Sequence, residues 1–159
     1  MPLLTGYFSK SGSPAVKVTI SGPLTDGLEY EAILDTGFTG FLSLPLVEAI
    51  RLGLVLYGTT AVSFADGKQA FRLTARGMVK IAEVSKVGVS ILEPASTEIL
   101  LGMGFLRLFG KAFFVSSTGV ALVDEAELKK LEKSETATLE SSSSETAELP
   151  QTSSPQSAQ

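Results

Sequence analysis

The sequence of 159 residues contains no cysteine and no histidine. A chain without these residues cannot form disulfides, thiolate nucleophiles, Cys/His zinc or haem sites, or catalytic Ser-His and Cys-His pairs. Hydrolytic chemistry then depends mainly on carboxylates, lysine, Ser/Thr hydroxyls or an oxygen-ligated metal. The acidic residues are therefore the first candidates for a catalytic group.

Long apolar runs and clusters of basic charge are also missing. Arg107 and Lys111 interrupt the densest apolar stretch, so no segment reaches the roughly 18 apolar residues of a membrane span. Residues 1–133 hold all 13 basic side chains and 13 of the 17 acidic ones. This balance predicts no nucleic-acid and no membrane partner. Because residues 1–8 lack the pattern of a secretory signal, we expect a cytoplasmic protein.

The C-terminal part of the chain differs in composition from the rest. Residues 134–159 are mostly Ser, Thr, Glu, Pro, Gln and Ala, which predicts a disordered acidic Ser/Thr-rich tail. Before it, Asp124 is a candidate N-cap with Glu127 three residues later, which predicts a short helix over residues 124–133. We therefore expect one folded domain, residues 1–123.

Within this domain, β-branched and aromatic residues alternate with polar ones between turn-forming residues, which predicts an all-β fold. Asp66-Gly67 predicts a hairpin with a type I′ turn, and Ser117 to Gly119 suggest a second hairpin. Because the sequence contains no internal repeat, it encodes a single lobe. The predicted strands are residues 4–9, 15–21, 28–34, 60–65, 69–84, 87–92 and 112–123, and the predicted short helices are residues 45–52 and 104–109.

The triplet Asp35-Thr36-Gly37 follows the apolar segment Ala32 to Leu34. A strand that ends in small, turn-permissive residues places a carboxylate on a loop at the edge of a core. The same triplet also fits an ordinary β-turn, in which Asp35 caps the backbone and Gly37 takes a positive φ. The triplet alone leaves both interpretations open.

The order of three segments resembles that of retropepsin-like (clan AA) aspartic proteases. These segments are Ala-Ile-Leu-Asp-Thr-Gly at 32–37, the hairpin at Asp66-Gly67, and Ile-Leu-Leu-Gly at 99–102. The likeness extends over about residues 16–109 and is greatest to small prokaryotic single-lobe members, whose motif reads Asp-Thr-Gly-Phe. The resemblance implies a single-lobe acid-protease fold that acts as a homodimer on peptides or proteins, without a metal or other cofactor.

The resemblance also implies roles for individual residues. Asp35 is the catalytic residue, and each chain of the dimer provides one copy. Thr36 hydrogen-bonds to the partner loop, Gly37 allows a close approach of the backbone, and Leu101 with Gly102 braces the Asp35 loop. The residues implied for the substrate cleft and its flap are Phe38, Thr39, Phe64, Ala65, Asp66, Gly67 and Met103.

The chemistry of peptide hydrolysis gives an independent reason to expect a pair of carboxylates. A lone aspartate with a pKa of about 3.9 is ionised at neutral pH, so it offers a weak base but no acid for the leaving amine. When two carboxylates lie about 3 Å apart, both cannot be ionised at once, and the pair therefore shares one proton. Aspartic proteases as a class use such a pair. Such a pair supplies a base and an acid together.

The sequence departs from the retroviral pattern at two places. Phe38-Thr39 stands where those enzymes usually have Ala-Asp, and Met103 stands where they usually have Arg. The Asp and Arg pair with each other in those enzymes, so losing both leaves no unpaired charge. The changes predict a more apolar cleft.

Two other functions compete with an endopeptidase. One is a catalytically weak dimeric module with the same fold that binds peptides or acts as a scaffold. The other is a monomeric all-β structural protein with an accidental triplet.

Other carboxylates are weaker candidates for the catalytic residue. Glu93 and Glu98 flank a polar loop and have a less favourable setting for catalysis than Asp35.

Overall fold

The structure is a computed structural model that describes residues 4–63 and 66–133. Contacts divide the chain into two units, Met1–Glu125 and Ala126–Gln159. The described strands and helices of the first unit are β1 Leu4–Phe8, β2 Pro14–Gly22, β3 Thr25–Leu34, β4 Leu42–Pro45, α1 Leu46–Leu52, β5 Leu56–Ser63, β6 Gln69–Ile81, β7 Val84–Glu93, β8 Leu100–Leu101, α2 Met103–Phe109, β9 Lys111–Val115 and β10 Val120–Asp124. The predicted all-β class is confirmed.

The strands form one sheet in the order β5-β6-β7-β4-β8-β3-β2-β1-β10-β9. An additional pairing of β6 with β2 folds part of this sheet back on itself. Two pairs are parallel, β3 with β8 and β4 with β7, and the other described pairs are antiparallel. The parallel pairs bring the ends of β3 and β8 to the same edge of the sheet.

The core explains why these segments form strands. Val16, Val18 and Ile20 of β2 alternate with more exposed residues and are buried. Helix α2 adds Phe105 and Phe109, whose ring centroids are 4.6 Å apart. Burying one such side chain contributes about 1.5–3 kcal/mol to stability. The hydrophobic effect therefore fixes which face of β2 points inward.

Strands β4 and β8 are absent from the sequence-based prediction. All four residues of β4 are buried, so β4 lacks the alternation that identifies a strand with one exposed face. Strand β8 has only two residues. Neither segment carries enough periodicity to be recognised in the sequence.

The region predicted as one strand, residues 112–123, forms the two strands of the second hairpin. Val115 of β9 pairs with Val120 of β10. The turn between them is closed by the Ser116 N–H, which donates to the Gly119 carbonyl at 2.9 Å. The hairpin suggested by Ser117 to Gly119 is present.

The helices lie close to their predicted positions. Helix α1 begins after Pro45 and is followed by Gly53, which has a φ of +69°. Helix α2 begins one residue earlier than predicted, at Met103. Residues 125–133 are helical, and the predicted tail, residues 134–159, lies outside the described residues. Within the described ranges, no helix is long and apolar enough to cross a membrane.

The β5–β6 hairpin contains Asp66-Gly67, as predicted, but its connection is longer than a two-residue type I′ turn. The strand pairing ends at Ser63 and Gln69. Gly67 has a φ of +80°, and Asp66 Oδ1 accepts the Lys68 N–H at 3.0 Å. In the described part of this connection, the Asp66 side chain thus satisfies the Lys68 backbone donor.

Candidate functional site

Asp35 is the first residue beyond the end of β3. Ile33 and Leu34 pair in parallel with Leu100 and Leu101 of β8. The Asp35 N–H continues this ladder and donates to the Leu101 carbonyl at 3.0 Å. The backbone of Asp35 is thus anchored to the sheet, while its side chain is half-buried at the sheet edge.

The loop after Asp35 is a tight turn closed by the Asp35 side chain. Asp35 Oδ1 accepts the Gly37 N–H at 2.8 Å, and the Asp35 carbonyl accepts the Phe38 N–H at 3.2 Å. Gly37 is not one of the described glycines that have a positive φ. Asp35 therefore caps the turn, but the left-handed glycine of the simple turn interpretation is not found.

The segment at the start of α2 braces this loop from below. The Met103 N–H donates to the Phe38 carbonyl at 2.8 Å. A Cβ atom on Gly102 would lie 2.2 Å from the Phe38 oxygen and 2.5 Å from the Gly40 oxygen. Only glycine fits at position 102, because a side chain there would displace the backbone that holds the Asp35 loop.

A cavity of about 360 Å³ opens beside Asp35, and we call it the Asp35 cavity. The loop provides one wall, and Val62 and Ser63 at the end of β5 provide another. The cavity thus lies between the carboxylate and the β5–β6 hairpin, and its lining mixes apolar and polar groups. The described lining residues are Asp35, Gly37, Phe38, Ser43, Val62, Ser63, Ile91, Glu93, Ser96 and Leu100.

Thr36 and Thr39 lie on the exposed side of the loop. In the part of the chain that the structure describes, the Thr36 hydroxyl has no hydrogen-bond partner. Met103 is partly buried and packs against the core. Neither Thr39 nor Met103 is among the described residues that line the Asp35 cavity.

Other predicted site residues lie at the base of the loop and at the hairpin tip. Leu101 and Gly102 are buried beneath the loop. Asp66 and Gly67 are exposed at the hairpin tip, where Lys68 Nζ pairs with Asp66 Oδ2 at 3.2 Å. Phe64 and Ala65, which were predicted to belong to the flap, lie outside the described residues.

An ion pair that the sequence does not reveal contributes one of its members, Glu93, to the lining of the Asp35 cavity. Arg72 Nε of β6 donates to Glu93 Oε2 of β7 at 2.7 Å, and the two side chains are only 22% and 19% exposed. The pair depends on the register that places Leu73 opposite Leu92. Residues so far apart in the chain give no local signal, and only a correct prediction of this register could have found the pair.

A larger cavity, of about 490 Å³, lies elsewhere on the molecule, and Asp35 does not line it. It contains Tyr30, whose hydroxyl donates to Glu48 Oε2 at 2.6 Å. Burial, followed by the hydrogen bond to Glu48, raises the pKa of Tyr30 to about 12. In the described ranges, no three His, Cys, Asp or Glu side chains come together as a metal site requires.

Comparison with solved structures identifies the fold. A retropepsin-like aspartic protease from Rickettsia conorii is similar, with a TM-score of 0.55 and 17% identity over 76% of this chain and 90% of that chain. The EIAV protease in complex with the inhibitor HBY-793 is similar over 68% of this chain and 98% of that chain, with a TM-score of 0.54 and 16% identity. Neither a protein-family model nor a curated protein sequence matches the chain. The chain has a retropepsin-like fold, as the order of its motifs predicted.

Proposed function

We propose that this chain is one half of a homodimeric aspartic endopeptidase, in which each of two chains contributes one Asp35 to the active site. The observation that carries the proposal is the position of Asp35 in a retropepsin-like fold. The carboxylate lies on a braced loop and lines a cavity under a β-hairpin. Cavities of this size with a few convergent polar groups are typical of binding and active sites.

The exposed side of the Asp35 loop supports the need for a second chain. Thr36 and Gly37 are exposed. The φ of Gly37 is not positive, so the backbone conformation alone does not require glycine at this position. A hydroxyl can both donate and accept a hydrogen bond, and a glycine allows close approach of another backbone. Both properties serve contact with a partner loop better than they serve the fold of one chain.

In the proposed mechanism, the two Asp35 carboxylates share one proton because like charges this close cannot both remain ionised. The ionised carboxylate takes a proton from water as the water oxygen attacks the peptide carbonyl carbon. The protonated carboxyl donates a hydrogen bond to the carbonyl oxygen and stabilises the gem-diol. Proton transfer to the amine then accompanies cleavage of the C–N bond. The apparent pKa values of such a dyad belong to the pair.

The substitution Asp35→Asn tests this assignment. Asn retains an oxygen that can accept the Gly37 N–H but cannot titrate, so peptide cleavage should vanish while the melting temperature stays the same or rises. Asp26→Asn is the matched control because Asp26 is an exposed aspartate at the start of β3. The control should cleave as the wild type does. Full cleavage by Asp35→Asn would exclude Asp35 as the catalytic residue.

One observation favours a second candidate function, a dimeric peptide-binding module without strong catalysis. Asp35 Oδ1 already closes its own turn by accepting the Gly37 N–H, and this role requires no chemistry. Loss of a capping acceptor usually costs about 0.5–2 kcal/mol. Clear destabilisation by Asp35→Ala, together with peptide binding but no cleavage by the wild type, would favour the binding module.

A further inference from the structure

The β5–β6 hairpin is attached to the sheet at one end only. The pairing of β6 with β7 begins at Ile81 and Val84 and ends at Leu73 and Leu92. Beyond that point, residues 60–63 of β5 and 69–72 of β6 pair only with each other among the described residues. We call these two segments the hairpin arm.

The Arg72–Glu93 ion pair lies at the first position beyond the last backbone pair of β6 and β7. Arg72 Nε and Glu93 Oε2 are 2.7 Å apart. Arg72 Nη1 also donates to the Phe71 carbonyl at 3.2 Å, which restricts the guanidinium group. The pair therefore extends the β6–β7 connection through side chains where the backbone connection stops.

The environment of this pair differs from that of the Lys17–Glu29 pair on the same sheet. The Lys17–Glu29 pair between β2 and β3 has a similar distance of 2.8 Å, but both of its side chains are 65% exposed. Exposed pairs contribute little to stability, because water and salt screen them. Charge-assisted hydrogen bonds that are partly shielded from water are stronger than exposed ion pairs. A partly buried pair such as Arg72–Glu93 is thus suited to hold the arm in place, whereas an exposed pair such as Lys17–Glu29 would be too weak for this role.

Glu93 also lines the Asp35 cavity. One member of the ion pair at the attachment of the arm therefore shares a cavity with the candidate catalytic carboxylate. The position of the arm determines how far Val62 and Ser63 lie from Asp35, because both belong to the arm and line the cavity. Glu93 of the ion pair and the two arm residues thus line the same cavity.

We propose that Arg72 and Glu93 form a clamp at the hinge of the β5–β6 hairpin and act as positioning residues for the substrate. The clamp keeps the arm over the Asp35 cavity, so that a peptide binds to a cavity that is already partly closed. Without the clamp, the closed arrangement is less populated, and the apparent affinity for peptide falls by the same factor. The effect on substrate rests on the proposed protease function, whereas the effect on the arm does not.

Hydrogen exchange of Glu93→Gln, measured without substrate, tests the clamp directly. Backbone amides that are hydrogen-bonded within the arm should exchange about tenfold faster, while those of β2 and β3 keep their rates. Glu29→Gln is the matched control because it removes the carboxylate of an exposed pair of similar length, and it should leave the arm unchanged. The reversed pair Arg72→Glu/Glu93→Arg should restore slow exchange. Unchanged exchange in the arm of Glu93→Gln, or equal acceleration throughout the sheet, would overturn the clamp.

Peptide cleavage by the same variants separates the clamp from the proposed function. Glu93→Gln should raise KM about tenfold with little change in kcat, because the clamp acts on closure and not on the bond-breaking step. A lower kcat with an unchanged KM would overturn the positioning role. If no peptide is cleaved even by the wild type, the protease proposal fails, while the exchange result still decides whether Arg72 and Glu93 hold the arm.

Discussion

At the scale of single residues, two positions near Asp35, 37 and 102, carry glycine for different structural reasons. A Cβ on Gly102 would lie within 2.5 Å of two backbone oxygens, whereas a Cβ on Gly37 would meet only Asp35 Oδ1, at 3.1 Å. Gly102 is buried and Gly37 is exposed. The fold of one chain therefore requires Gly102, and we attribute the glycine at position 37 to contacts outside the chain.

This difference predicts opposite outcomes for two alanine substitutions. Gly102→Ala should lower the free energy of unfolding by about 1–3 kcal/mol or more, because the backbone must shift to admit the methyl group. Gly37→Ala should change it by less than about 0.5 kcal/mol, yet it should strongly reduce peptide cleavage. Urea unfolding at concentrations that keep the chain monomeric, combined with a cleavage assay, measures both. Full activity of Gly37→Ala would argue against a close contact at this position.

At the scale of secondary-structure elements, a partly buried hydrogen bond links strand β3 to helix α1. The Tyr30 hydroxyl donates to Glu48 Oε2, and burial together with Glu48 raises the pKa of Tyr30 to about 12. In the unfolded chain the pKa of a tyrosine is about 10. The folded chain therefore holds a proton that the unfolded chain releases, and this link stabilises the fold fully only below a pH of about 10.

The link predicts a pH dependence at alkaline pH. The contribution of Tyr30 should be lost as the pH rises from about 10 to about 12, because the unfolded chain is then increasingly favoured by ionisation. The stability of Tyr30→Phe should accordingly fall less over this window than that of the wild type. Tyr57→Phe, which changes an exposed tyrosine, serves as the control. Parallel stability curves of the wild type and Tyr30→Phe would contradict the prediction.

The elements also show how far the sequence predicts the structure. Strands β2 and β3 alternate between buried and exposed positions, so their existence and the location of Asp35 at the end of β3 can be recognised. Strand β4 is buried throughout and β8 has two residues, so neither shows a period. The Arg72–Glu93 pair depends on the register of β6 against β7, which is set by the packing of the whole sheet and not by local sequence.

At the scale of the whole molecule, the central feature is that each chain carries one Asp-Thr-Gly triplet. The retropepsin-like fold presents this triplet on a loop whose Thr36 and Gly37 are exposed. An aspartic protease dyad requires two carboxylates. We therefore infer that the active form contains two chains related by a two-fold axis, with both Asp35 residues at one site.

Mixing the wild type with the Asp35→Asn variant tests this account most directly. After the chains exchange partners, a mixed dimer has only one Asp35 and should be inactive. Random pairing with an equal amount of the variant should then reduce the activity per wild-type chain to about half, and a ninefold excess should reduce it to about one tenth. If each chain carried a complete site, the activity per wild-type chain would stay constant at every ratio, and that result would contradict a shared Asp35 dyad.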